Sequence, residues 1–208
     1  MTYTPQVGKE HYSGNAYSYS DRWMSYFYQL ELVRRVHART VLEVGVGAGV
    51  LARELRARGI SVKTLDIAPD VSPDVVGSVT DIPIPEHSFD ATLAFEVLEH
   101  IRDEDVSKAL SELARVSKQY VILSLPHPGW VFSFNVKVPL LPRVCVLYQI
   151  PFFWKKHVFN GEHYWELGKK GFSVRRFIST ARGAGLTLVS FEKHADDPGH
   201  RFFVFKKV

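Results

Sequence analysis

The run Val41-Leu42-Glu43-Val44-Gly45-Val46-Gly47-Ala48-Gly49-Val50-Leu51 constrains the fold of this chain more than any other stretch. Its first residues read as a buried strand, and its last two open a helix. Between them, glycines at alternate positions remove the Cβ atoms that would keep a ligand off the backbone. Close packing of a strand-to-helix turn needs one glycine. Three argue for a cradle that holds a nucleotide-like molecule at a helix N-terminus.

The neighbours of the glycines narrow the ligand. A dinucleotide fingerprint has glycine or alanine at the sixth position counted from Gly45, and this chain has Val50 there. Glu43 would set a negative charge near phosphates, which is unfavourable. The same carboxylate suits a ligand carrying an ammonium or sulfonium cation. Asp66 closes the next predicted strand, nineteen residues after Gly47, the spacing of one βαβ unit. A carboxylate there can accept hydrogen bonds from ribose hydroxyls, each contributing about 1.5–3 kcal/mol. Its other reading is a turn aspartate before Ala68-Pro69.

Strands and helices alternate along the chain. Residues 40–44, 61–66, 75–78, 90–95 and 120–125 predict five strands. Residues 50–58 predict a helix closed by Gly59. A second helix runs from Asp103, as its cap, through Ser117, with Val106, Ala109, Leu110, Leu113 and Ala114 on its buried face. Residues 172–184 predict another helix, opened near Ser173. Residues 186–193 and 201–207 predict two strands joined by the short connection 194–200, hence antiparallel. This order gives an α/β fold with a mostly parallel sheet covered on both faces. Crossovers should be right-handed, and ligands should bind at the carboxyl ends of the strands. Residues 1–39 read as an N-terminal arm with a helix over 21–38 capped by Asp21. Its Trp23, Phe27, Leu30 and Val33 share a helical spacing and should pack on the domain.

Residues 126–171 break the alternation with many aromatics and five prolines. Long insertions in compact domains are usually lids or binding loops, and a substrate lid is the first reading. A dimer interface and a membrane-surface patch are the others, the last because Lys155-Lys156 follow Phe152-Phe153-Trp154.

A chain of 208 residues suits one domain, residues 1–208. The formal charge of +4 is spread along the chain and does not mark a nucleic-acid binder. Cys145 is the one cysteine, so no internal disulfide can form and a reducing compartment fits. The sequence shows neither a signal-peptide core nor an apolar run long enough to span a bilayer, and it reads as cytoplasmic.

Three stretches together resemble the class I S-adenosylmethionine-dependent methyltransferases, in their small-molecule and quinone-type branch. They are Glu43 to Gly49, Leu65-Asp66-Ile67, and Thr80-Asp81-Ile82-Pro83-Ile84-Pro85-Glu86-His87-Ser88-Phe89-Asp90 running into Glu96-Val97-Leu98-Glu99-His100-Ile101. The likeness covers about residues 40–125 and the terminal hairpin. It implies a Rossmann-like sheet of seven strands, with the last strand antiparallel beside the fifth. It implies S-adenosyl-L-methionine as cofactor and methyl transfer to O, N or C of a small acceptor; the apolar insertion points to a hydrophobic one, and the expected state is a monomer or homodimer. Glu43, Gly45, Gly47 and Gly49 would meet the methionine part, Asp66 the ribose and Ile67 the adenine face. Ser78 stands where the family often has aspartate, so Ser78 or the Val79 backbone would meet the adenine amino group. Glu96 would lie near the cofactor's amino-acid end. The competing functions are a nicotinamide-dependent oxidoreductase on the same architecture and a non-catalytic cofactor-binding protein.

Three groups stay open. Glu96, Glu99 and His100 share one face if their segment is helical, and two carboxylates with an imidazole can hold a divalent metal. The preferred reading is metal-free, with Glu99 and His100 fixing the loop. His127, just past the fifth strand, is a candidate general base or a loop histidine. His163, with Glu166, either folds over the pocket or packs a lid helix.

Overall fold

The computed structural model describes residues 3–13, 19–140 and 144–208. A short helix α1 (Glu10–Ser13) and a longer α2 (Ser20–Arg35) precede the alternating elements. These are β1 (Thr40–Val44), α3 (Val50–Ala57), β2 (Ser61–Asp66), β3 (Val75–Val76), β4 (Phe89–Phe95), α4 (Asp103–Val116) and β5 (Ser117–Pro126). β6 (Gly129–Val136) and β7 (Val144–Pro151) then pair with each other, as a two-stranded antiparallel ribbon. The chain continues with α5 (Val174–Gly183), β8 (Leu186–His194) and β9 (Asp197–Lys207).

Seven strands form one sheet in the order β3-β2-β1-β4-β5-β9-β8. β9 is antiparallel to β5 and β8, as the resemblance implied. Alternation along the central strands sends side chains to two separate cores. In β1, Leu42 and Val44 face the α4–α5 side, while Val41 faces the α2–α3 side. In β9, Phe203 and Phe205 join the first core, and Phe202 and Val204 the second. The expected buried face of α4 is the observed one. Ser173 caps α5 by accepting the Arg176 N–H at 3.2 Å.

Two caps differ from expectation. α2 starts at Ser20 behind Tyr19, and Asp21 sits in the first turn, where its charge complements the helix dipole without capping. Asp103 likewise occupies the first turn of α4 behind Arg102. The buried face of α2 also differs. Trp23 and Phe27 are exposed, and Ser25, Gln29, Leu32 and Val33 face inward. The polar pair can be buried because Gln29 donates to Ser25 Oγ at 3.1 Å, which gives each side chain a partner.

Candidate active site

A cavity of about 400 Å³ opens at the carboxyl ends of β1, β2, β4 and β5, within the size range of small-molecule sites. Its floor is the turn after β1. Gly45 and Gly47 have φ of 83° and 52°, the left-handed region that glycine enters without strain. Gly45 is also sterically fixed, since a Cβ there would lie 2.5 Å from Val97 Cγ2. Gly49 does not line the cavity. It caps α3 with φ of 66° and donates its N–H to Val46 O at 2.9 Å, so it shapes the helix start.

Glu43 is buried in the wall of this floor. The Ala52 N–H in the first turn of α3 lies near it and favours its charged form, and its Oε2 has no partner among the described residues. Burial pushes its pKa up to about 8. Because the folded value lies above the unfolded one, the linked stability is complete below the ordinary carboxylate range. It declines as pH rises toward about 8. Glu43→Gln should therefore be more stable than the parent at pH 8 without ligand, and the gap should close toward pH 4; urea unfolding at the two pH values measures this.

Asp66 lies at the end of β2, where Val46 and Ala68 donate backbone N–H groups to it at 2.7 and 2.9 Å. A carboxylate has about four acceptor positions, so capacity remains on the cavity side. Ile67, Ser78 and Val79 line the same side. Ser78 Oγ pairs with Thr80 Oγ1 at 2.9 Å.

The N-terminal arm covers the cavity, a role no motif announced. Tyr3 hydroxyl bonds Asp105, Gln6 Oε1 meets His100 Nδ1 at 2.7 Å, and the Lys9 N–H reaches Asp70 at 2.9 Å. Burial and the Asp105 hydrogen bond push the Tyr3 hydroxyl up to about 12, so it remains a donor. Tyr12, and Arg22 and Tyr26 of α2, complete this side.

The opposite wall gathers Glu96, Glu99, His100, His163 and His200. Glu96 has a φ of 54°, a strained conformation for a residue with a Cβ. Ser124 Oγ donates to Glu96 Oε1 at 2.6 Å. His200 Nε2 lies 3.4 Å from Glu96 Oε2, and its Nδ1 lies 2.5 Å from Asp197. Burial alone would lower the His200 pKa, but the Glu96 and Asp197 charges outweigh it and raise it. Sequence reading placed His200 in a connection. β9 in fact begins at Asp197, and Pro126 pairs with His200 across the ladder.

Glu99 is fully buried, and neither carboxyl oxygen has a hydrogen-bond donor among the described residues. Burial and then the Glu96 charge raise its pKa well above the carboxylate range. The set that can surround a cation differs from the expected Glu96, Glu99 and His100. The segment is a single 3-10 turn, Leu98–His100, not a longer helix. One ligand atom each from Glu99, His100 and His163 lies within 4.8 Å of the others. His163 arrives because the Tyr164 N–H donates to Glu99 O at 2.8 Å and Trp165 Nε1 to Ile101 O at 3.2 Å.

His127 does not line the cavity. Its N–H donates to Gly199 O at 2.7 Å, and its ring fills the space beside Gly168, where a Cβ would lie 2.8 Å from Nε2. Burial, aided by the nearby Arg201 charge, pushes its pKa down to about 4. Of the insertion's described residues, Pro126, Glu162 and His163 line the cavity. The described strands of the ribbon do not line it, and the N-terminal arm does.

Residues 42–125 match the family model described as a methyltransferase domain. No curated protein matches the sequence. Among solved structures, the chain is similar to the CcbJ methyltransferase of Streptomyces caelestis, with a TM-score of 0.62, 13% identity and 98% and 99% of the two chains covered. It is also similar to the 1,6-didemethyltoxoflavin-N1-methyltransferase of Burkholderia thailandensis, crystallised with S-adenosylhomocysteine (TM-score 0.59, 15% identity, 100% and 93% covered). A third is the magnesium protoporphyrin IX methyltransferase of Synechocystis (TM-score 0.58, 15% identity, 90% and 84% covered). Residues 42–125 thus carry a methyltransferase domain, and the chain as a whole has the Rossmann-like fold of these methyltransferases. The cofactor that goes with this domain is S-adenosyl-L-methionine.

Proposed function

We propose that this chain transfers the methyl group of S-adenosyl-L-methionine to a small, hydrophobic acceptor held beside His163. The observation that carries the reading is one cavity that joins the positive-φ glycine floor, Asp66 and the half-satisfied buried Glu43. The donor set fits the cofactor: Asp66 has acceptor capacity for ribose hydroxyls, and Glu43 can face an ammonium. The cofactor supplies a sulfonium-bound methyl. Phe95, Val97, Ile101 and Tyr26 give the cavity apolar walls, which supports a hydrophobic acceptor.

His163 is the proton acceptor in this reading. Its Nδ1 lies 3.1 Å from Glu166 Oε1, which leaves Nε2 for the acceptor's proton. Burial opposes ionisation of Glu166, but hydrogen bonds from His163 and Lys169 outweigh it and hold its pKa at about 2, so the anchor stays anionic. The test is transfer of labelled methyl to a panel of apolar phenols and amines. His163→Asn should lower kcat by about 100-fold or more and leave the affinity for S-adenosylhomocysteine unchanged. Undiminished turnover in that variant would remove His163 from the chemistry. Cofactor binding without transfer to any acceptor would favour the non-catalytic alternative.

The orphaned carboxyl of Glu99 favours a second reading, a divalent cation on Glu99, His100 and His163. Histidine ligands commonly direct the other ring nitrogen to a carboxylate or carbonyl. His163 Nδ1 meets Glu166, and His100 Nδ1 meets Glu162 O at 3.2 Å. Electron paramagnetic resonance should then detect Mn²⁺ bound by the parent and not by Glu99→Gln. No binding by the parent at millimolar Mn²⁺ rejects the cation.

A further inference from the structure

The β6–β7 ribbon has one apolar face. Its register sets Trp130 opposite Ile150, Phe132 opposite Tyr148, Phe134 opposite Val146 and Val136 opposite Val144. Alternation along a strand puts these eight side chains on one side. Phe132, Phe134 and Tyr148 are each at least 60% exposed, and Leu140, at the end of the ribbon, is fully so. The other side is tethered to the domain, with Gln149 bonded to His127 O at 2.7 Å and to Arg201. At the ribbon's base, Trp130, Phe152 and Trp154 cluster with ring centroids 5.5–6.1 Å apart, and Lys155 Nζ lies 4.2 Å from the Phe152 ring. A contiguous apolar face of this kind marks an interaction surface.

Charge decides what covers it. Residues 127–161 contain Lys137, Arg143, Lys155 and Lys156 and no aspartate or glutamate; Arg143 lies outside the described residues. A second copy of the ribbon would bring these like charges together without compensation. A negatively charged lipid surface compensates them, and Trp and Tyr beside Lys and Arg is the composition of membrane–water interfaces.

We propose that the ribbon docks the protein on anionic lipid, laying the Trp130–Phe132–Phe134–Tyr148 face into the interface with the basic residues at the headgroups. The docking stands independently of the methyl-transfer reading, because the ribbon does not line the cavity. The test is co-sedimentation with vesicles of equal parts phosphatidylglycerol and phosphatidylcholine, against phosphatidylcholine alone. The parent should bind the anionic vesicles and release as salt rises. The triple variant Phe132→Ser, Phe134→Ser, Tyr148→Ser should partition about 100-fold more weakly. Lys155→Gln with Lys156→Gln should weaken it on the order of thirtyfold. Unchanged affinity of both variants for S-adenosylhomocysteine shows that they are folded. Failure of the parent to bind anionic vesicles at low salt overturns the proposal, as does undiminished binding by the triple variant. A parent dimer in sedimentation equilibrium that the triple variant splits also overturns it and assigns the face to a second copy.

Discussion

Replacing Asp66 with alanine should abolish binding of S-adenosylhomocysteine at micromolar concentrations, read by calorimetry on the full chain. The carboxylate acts twice. It accepts the Val46 and Ala68 N–H groups and so holds the glycine floor and the residues after β2 in their positions. Its remaining acceptor positions are the ones the ribose hydroxyls would use. Each hydrogen bond to a charged acceptor contributes about 1.5–3 kcal/mol, so losing two to ligand weakens binding by roughly a hundredfold to ten-thousandfold. Asp66→Asn should fall between, since an amide keeps one oxygen. An alanine variant that binds as tightly as the parent would remove Asp66 from the site.

Gly45→Ala should lower folding stability by about 2–5 kcal/mol. Part comes from a φ of 83°, which costs a residue with a Cβ roughly 1–2 kcal/mol. The rest is overpacking against Val97 Cγ2, 2.5 Å from the built Cβ, typically about 1–3 kcal/mol. The two contributions separate in a double-mutant cycle, because Val97→Ala removes the clash and leaves the strain. Partial rescue by Val97→Ala in urea unfolding is the expected result. Full rescue would mean that backbone strain contributes nothing, and no rescue would mean that the loop moves away from Val97.

The strand–turn–helix core was legible because its signals are local. A buried strand, positive-φ glycines and a carboxylate one βαβ unit later all lie within residues 41–66. α2 was less so, because its inward Ser25 and Gln29 bond to each other, and a pattern of hydrophobicity does not register that pair. His163 has no local signal. It reaches His100 through backbone bonds from Tyr164 and Trp165, made by residues some sixty positions apart. His200 was legible in principle, since an antiparallel strand beside β5 must begin at the ligand edge. Pro198-Gly199 resembles a turn, and the strand runs through it. His127 follows the strand that ends at the cavity. The chain turns at once into the ribbon, however, and the imidazole goes under Gly168.

A cavity at the carboxyl ends of β1, β2 and β4 that takes S-adenosyl-L-methionine should tell it from a dinucleotide. Parallel calorimetric titrations of the full chain with S-adenosylhomocysteine and with a nicotinamide dinucleotide test it most directly. Saturable one-to-one binding of the first and no heat from the second is the expected result. Saturable binding of the dinucleotide with none of S-adenosylhomocysteine would contradict it.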